Sequence, residues 1–173
     1  MINDYLKTAL KQFDYYKSLG EKTIAQLTDE QLFLQLNEES NSVATIVKHL
    51  RGNMISRWTD FLTTDGEKEW RDRDAEFEND FADRAELLEK WNEGWACLYT
   101  AINALTEDDF TKKVLIRNEP HTVIDAINRQ LAHYPYHIGQ IVFIGKVFCN
   151  DKWTSLSIAK GKSKEFNAGM FSK

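Results

Sequence analysis

Helix-breaking residues are scarce in this chain, and their scarcity is the strongest constraint on its fold. The 173 residues include two prolines, Pro120 and Pro135, and eight glycines. Because an all-β sandwich needs many Gly- and Pro-containing turns, the sequence favours long helices. The length is typical of one domain, so we predict a single domain over residues 1–173.

Four long segments carry apolar residues at helical spacing. The predicted helices run from about Asp4 to Leu27, from Asn41 or Ser42 to just before Asp65, from Asp83 to Leu105, and from Thr122 to Phe148. Residues 66–80 are charged and aperiodic and predict a long loop, while Val114-Leu115-Ile116 predicts a short extended piece. We therefore predict an all-α, antiparallel four-helix bundle with a long crossover loop between helices 2 and 3.

Two short segments repeat one turn signal. Residues 27–32 and 105–110 both begin with Leu-Thr, and each Thr is followed three residues later by Gln or Asp. This arrangement favours a capping box that starts a short helical turn. The repeat is compatible with two similar helical hairpins, and equally with two independent helix starts.

Charge and composition argue against several classes of protein. The net charge of −5 and the isoelectric point near 5.4 argue against a nucleic-acid partner. No apolar run approaches the ~20 residues that a membrane span needs, and the N-terminus lacks the pattern of a signal peptide. We therefore expect a cytoplasmic protein with no membrane partner. The two cysteines, Cys97 and Cys149, are expected to be reduced and buried.

Histidines carry the candidate chemistry. His133 and His137 lie at i and i+4 on the fourth predicted helix, so their side chains project from one face with Cβ atoms about 5 to 6 Å apart. His49 lies beside the apolar stripe of the second helix and is the predicted third ligand of a metal site. His121 follows Pro120 and is predicted to lie outside the ligand set. The alternative for the pair is one ring packed in the core and one forming a hydrogen bond.

Other polar side chains share helix faces with these histidines. They are Asn53, Arg129, Gln130 and Gln140, and each could orient an imidazole or hold a substrate, although a surface role is equally compatible. Pro135, between the paired histidines, predicts a kink that would open the bundle at the metal, or else a bend without a role. The chain lacks the motifs of nucleotide binding, serine hydrolysis and zincin proteolysis, which leaves metal chemistry.

Several segments together resemble the DinB/YfiT-like metalloenzyme superfamily, and more closely a domain of unknown function within it. The resemblance spans nearly the whole chain and lies in residues 41–50, Gly52-Asn53-Met54, residues 57–62, Asp65-Gly66-Glu67, residues 133–141 and residues 153–158. Members of the superfamily are four-helix bundles that bind a divalent metal through one histidine on helix 2 and two on helix 4. The resemblance therefore implies that His49, His133 and His137 are metal ligands. Its better-understood members include mycothiol- or bacillithiol-dependent S-transferases and a maleylpyruvate isomerase.

Two functional hypotheses follow. The first is a divalent-metal enzyme, with zinc or nickel as the metal, that uses a low-molecular-weight thiol in S-transfer or related nucleophile chemistry on a small-molecule substrate. The second is a non-catalytic metal-binding or interaction module in which the metal only ties helices together. The sequence shows no carboxylate in register as a fourth ligand, which favours the first hypothesis. A homodimer is compatible with either.

Arginines are the predicted groups for holding an anionic part of the thiol or its acceptor. Arg129 is the first candidate because it precedes His133 by one helical turn. Arg57, Arg71 and Arg73 are further candidates. A guanidinium fork suits a carboxylate better than a lysine does.

Overall fold

The computed structural model describes residues 2–171 of the chain, and this part is mostly helical, as predicted. Its elements in chain order are α1 (Ile2–Ile24), α2 (Asp29–Phe33), α3 (Val43–Trp58), α4 (Arg84–Asn103), β1 (Lys113–Ile116), β2 (Glu119–Thr122), α5 (Val123–Cys149) and α6 (Ser163–Phe171). Three 3-10 turns lie at residues 75–77, 107–111 and 150–152. Helix α2 is the short helical turn expected after Thr28, and β1 contains the predicted extended piece, but the prediction did not include its pairing with β2 or the exposed helix α6.

Side-chain caps explain where the helices begin. Ser42, Asp83 and Thr122 each accept a hydrogen bond from a backbone N–H in the first turn of α3, α4 and α5. The two Leu-Thr segments form the predicted capping boxes at Thr28 and Thr106. Three of the four long helices thus begin within a residue of a cap that the sequence already contains.

Helix α3 ends earlier than predicted. It stops at Trp58, because Thr59 is extended and Asp60 takes a positive φ of 49°. The carbonyl of Asp60 then accepts hydrogen bonds from the backbone N–H groups of Thr63 and Thr64. The residues between Trp58 and Asp65 therefore form turns, so the helix stops before Asp65-Gly66 as predicted but does not reach Phe61, which the prediction placed on its apolar face.

Four long helices enclose the core. Helix α3 packs along α4 and α1 packs along α5, while further contacts join α3 to α5 and α1 to α4. Phe13 of α1, Trp95 of α4 and Tyr134 of α5 meet at ring-centroid distances of 5.9 to 6.4 Å. Trp58 of α3 completes this aromatic centre by donating from Nε1 to the Tyr134 hydroxyl at 2.9 Å.

Tyr134 also sets the orientation of α5 against α3. It is fully buried, and its hydroxyl donates to Asn53 Oδ1 at 3.1 Å. Because Tyr134 follows His133 directly in sequence, these bonds to α3 also determine where His133 lies. Helix α5 continues without interruption through Pro135, so the proline does not end the helix.

The crossover between α3 and α4 is more ordered than the loop that the sequence predicts. Ser56 Oγ donates to the carbonyl of Gly66 at 2.7 Å, and Asp65 accepts backbone hydrogen bonds from Arg117 and Asn118 at 2.8 and 2.7 Å. Arg117 and Asn118 have positive φ values of 56° and 62° and form the turn between β1 and β2. The hairpin thus holds the start of the crossover.

Two further expectations concern the cysteines and the membrane. Both cysteines are free; Cys149 is buried as expected, whereas Cys97 is only half-buried. Across residues 2–171, no helix combines the length and the apolar character needed to cross a membrane.

Candidate metal centre

Three histidines from two helices meet at one point. Nε2 of His133 lies 3.3 Å from Nε2 of His49 and 3.1 Å from Nε2 of His137. One ring nitrogen from each residue lies within 4.8 Å of the other two. The i, i+4 spacing on α5 brings two of the rings together, and the packing of α3 against α5 brings the third.

Two of the three separations are those of nitrogens bound to one ion. Two nitrogens that each lie about 2.1 Å from a metal are about 3.0 to 3.4 Å apart at octahedral or tetrahedral angles. The separations of His133 Nε2 from His49 and His137, 3.3 and 3.1 Å, fall in that range, and all three nitrogens lie within 4.8 Å of one another. The cluster is therefore compatible with metal binding once the rings of His49 and His137 close around an ion.

Glu76 orients the first histidine. Its Oε2 accepts a hydrogen bond from His49 Nδ1 at 3.0 Å, and Phe77 stacks on the same imidazole at a centroid distance of 5.1 Å. A carboxylate only accepts when ionised, so Nδ1 of His49 is the donor in this bond and Nε2 is the ring nitrogen that faces the cluster. Carboxylate–histidine pairs of this kind fix ring orientation and raise ligand basicity in metal sites.

Arg71 holds Glu76 in place. Its Nε donates to Oε1 at 2.7 Å and its Nη2 donates to Oε2 at 2.9 Å, with both side chains buried. Burial disfavours the ionised carboxylate, but the hydrogen bonds from His49 and Arg71 outweigh it, and the pKa of Glu76 lies below its usual value. Arg71 is therefore paired with Glu76, and the interpretation of Arg71 as an anion-holding residue was wrong.

Gly52 makes the approach of Glu76 possible. A Cβ atom built on Gly52 would overlap Oε1 of Glu76 and lie 2.6 Å from its Cδ. Glycine costs about 1 kcal/mol relative to alanine in a helix interior. At this position the cost is offset by the buried His49–Glu76–Arg71 network that only a glycine admits.

The histidines of α5 are neutral at pH 7. Burial, reinforced by His137 and His49, lowers the pKa of His133 to about 3. Burial lowers the pKa of His137 to about 4, although a hydrogen bond with Gln140 opposes the shift. Gln140 Oε1 accepts that bond from His137 Nδ1 at 2.9 Å, which leaves Nε2 of His137 free to face the cluster. Neutral imidazole is the form that binds a metal ion.

The remaining predicted residues take different places. Asn53 accepts a hydrogen bond from Tyr134, while Gln130 is buried and Arg129 is exposed, both beside the histidines on α5. Nδ1 of His133 and Oε1 of Gln130, three residues apart on α5, are buried and have no hydrogen-bond partner within the described residues 2–171. His121 pairs with Asp125 and lies outside the cluster.

Sequence reasoning missed Glu76. It lies 27 residues from His49 in the segment predicted only as a loop, and no spacing rule connects the two. The one local signal is Gly52, because an isolated glycine inside a helical pattern indicates a close approach at that position.

A cavity of about 670 Å³ adjoins the cluster and gives the histidines access to small molecules. All three histidines line it, together with Asn53 and Gln130. Its size is that of small-molecule sites in other proteins.

Comparisons with known proteins agree with this description of the fold. The chain is similar to the conserved protein of a locus from Enterococcus faecalis, whose crystal structure superposes with a TM-score of 0.63. That similarity covers 82% of this chain and 95% of the other at 15% sequence identity, and at this identity it shows the fold alone. No curated protein matches the chain. The model of the family described as "Protein of unknown function (DUF1572)" matches residues 1–162, so the chain belongs to the DUF1572 family.

Proposed function

We propose that this protein binds one divalent metal ion through Nε2 of His49, His133 and His137 and uses it in thiol-dependent transfer chemistry. The observation that carries the proposal is the convergence of three imidazoles, with Nε2 of His133 at 3.3 Å from His49 and 3.1 Å from His137, beside a small-molecule cavity. Zinc and nickel are the proposed metals because both favour imidazole ligands.

The DinB/YfiT-like four-helix bundle is the proposed superfamily and architecture. Two observations support it: four long helices packed in neighbouring pairs, and one histidine on the second long helix with two on the fourth. This is the helix distribution of ligands that the resemblance in residues 41–50 and 133–141 implies.

The number of protein ligands favours catalysis over a structural metal. Structural zinc sites take four protein ligands, whereas catalytic sites keep a position open. Among the described residues, the cluster holds three histidines, and Glu76 contacts the Nδ1 side of His49. Glu76 therefore positions a ligand, and the open side of the cluster faces the cavity.

The chain's own residues prepare this site in three ways. Glu76 and Gln140 hold Nδ1–H of two histidines, burial keeps the imidazoles of α5 neutral, and Tyr134 fixes α5 against α3. When bound, a divalent metal supplies Lewis acidity that lowers the pKa of a thiol or water and so provides a nucleophile at neutral pH.

Metal titration is the first test. Chelator-treated protein is expected to take up one Zn²⁺ or Ni²⁺ per chain. At a free ion concentration of 100 times Kd, the free energy of unfolding should rise by about 2.7 kcal/mol, which raises Tm by about 5 to 11 °C. Mg²⁺ is the control and should leave Tm unchanged, because it requires oxygen ligands. No uptake of either transition metal would refute the metal site.

An activity assay on the metal-loaded protein then distinguishes the two hypotheses, a metal-dependent enzyme and a non-catalytic metal-binding module. Glutathione and an alkyl halide are mixed with metal-loaded or metal-free protein, and the loss of free thiol is followed. Transfer joins the thiol sulfur to carbon and releases halide and a proton. A faster loss with loaded protein supports the enzyme, whereas equal rates across a panel of thiols and electrophiles favour the module.

Replacing Glu76 by glutamine is expected to weaken Zn²⁺ binding by about 10- to 100-fold. The amide keeps the shape of the side chain but removes the charge that orients His49 and raises its basicity. Calorimetric titration measures the change. Glu93→Gln is the matched control, because Glu93 also pairs with an arginine, Arg51, but in a partly exposed pair outside the cavity that the histidines line. Equal affinity of the Glu76 variant and the natural protein would contradict the positioning role.

A further inference from the structure

The wall of the cavity beside the histidines is strongly basic in an acidic protein. The chain carries a net charge of −5, yet, in the part of the chain that the structure describes, no acidic residue and four arginines line this cavity: Arg57, Arg73, Arg117 and Arg129. A cavity lined by one sign of charge concentrates counter-ions within it.

Two of the four arginines are already occupied. Arg57 donates to the carbonyl of Gly66 and to the carboxylate of Glu67, and Arg117 donates from Nε to the same carboxylate at 3.1 Å. Several guanidinium groups therefore share Glu67, and their donors are directed toward the crossover. Arg57 and Arg117 contribute to the field of the cavity more than to direct contacts.

Arg73 and Arg129 are free to bind a ligand. Both are exposed on the cavity wall, and within residues 2–171 neither has an ion pair or a side-chain hydrogen bond. Arg73 comes from the crossover, while Arg129 lies on α5 one turn before His133. Two elements thus present unpaired guanidinium groups to the cavity that the histidines also line.

Gln130 adds an unused hydrogen-bond acceptor to this wall. It is 2% exposed, and among residues 2–171 its Oε1 has no hydrogen-bond partner. An amide oxygen accepts, so it would take an N–H or O–H group of a ligand or water, whereas the anionic oxygens are left to the arginines.

We propose that Arg73 and Arg129 form an anion subsite for a small substrate that carries carboxylate or phosphate groups, with the rest of that substrate directed toward the histidine cluster. Guanidinium groups bind both kinds of oxyanion through paired N–H donors. That this anion is a substrate rests on the proposed function. The subsite adds that the substrate is negatively charged.

Calorimetry with simple anions tests the subsite. Succinate, inorganic phosphate and neutral succinamide are titrated into metal-free and Zn²⁺-loaded protein. At least one of the two anions is expected to bind both forms, whereas succinamide should not bind. Preference for succinate or for phosphate identifies the anionic group. Binding should weaken as NaCl is raised, because both arginines are exposed.

Substitutions locate the subsite. Arg73→Gln and Arg129→Gln should each weaken anion binding by about tenfold, and the double variant by more. Arg51→Gln is the matched control, because it removes the same charge outside this cavity, and it should leave binding unchanged. Circular dichroism checks that each variant folds.

The outcomes separate this subsite from the proposed metal function. No anion binding by either form of the protein, or equal binding by the double variant, would overturn the subsite whether or not Zn²⁺ binds. Anion binding that depends on Arg73 and Arg129 in a protein that takes up no metal would support the subsite and refute the metal site.

Discussion

Replacement of His133 by alanine is expected to lower the affinity for Zn²⁺ or Ni²⁺ by about 100- to 1,000-fold. His133 is the central member of the cluster, because its Nε2 approaches Nε2 of both His49 and His137, at 3.3 and 3.1 Å. Without His133, the remaining ligands are His49 on α3 and His137 on α5, and the histidine that lies next to both of them is lost. Calorimetric titration of metal into chelator-treated protein measures the affinity, and circular dichroism follows helix content.

His121 supplies the control for this experiment. Its ring pairs with Asp125 one turn along the chain and does not take part in the cluster. His121→Ala should therefore keep the full metal affinity. The proposed ligand set would be wrong if His133→Ala bound metal as tightly as the natural protein, or if both variants lost affinity equally.

Replacement of Gly52 by alanine is expected to lower the free energy of unfolding by about 3 kcal/mol. The new Cβ would overlap the Glu76 carboxylate, with its Cδ only 2.6 Å away. Glu76 would have to move, which breaks the two hydrogen bonds that it accepts from the side chain of Arg71, 2% exposed, and leaves Arg71 only its longer contact with Glu67. For a domain of this size the expected fall in Tm is about 6 to 12 °C. Thermal and denaturant unfolding of the metal-free protein measure it.

Gly139 is the matched glycine. It lies inside α5 next to Gln140, and a Cβ built on it meets no atom within 4 Å. Gly139→Ala should raise the free energy of unfolding by up to about 1 kcal/mol, because alanine has the higher helix propensity. Equal losses of stability in the two variants would show that contact with Glu76 does not explain the glycine at position 52.

Much of the fold follows from local sequence. Ser42, Asp83 and Thr122 cap helices where the sequence predicts them, since a cap depends on residues within one turn. The proximity of His133 and His137 is also local, because any regular helix brings residues i and i+4 together. Pro135 shows the limit of such rules, because the proline lies within an unbroken helix that tertiary packing supports.

Contacts between segments far apart in the sequence decided how the candidate site is assembled. The sequence by itself determined the long helices, their caps and the paired histidines, because these depend on neighbours along one turn. Only the tertiary structure brought Glu76 to His49 and left Arg73 and Arg129 unpaired on the cavity wall. These features depend on how the crossover packs on α3, which no periodicity encodes. Gly52 allows that packing by leaving space beside α3, and a glycine in a helical pattern indicates a close approach without identifying the residue that approaches.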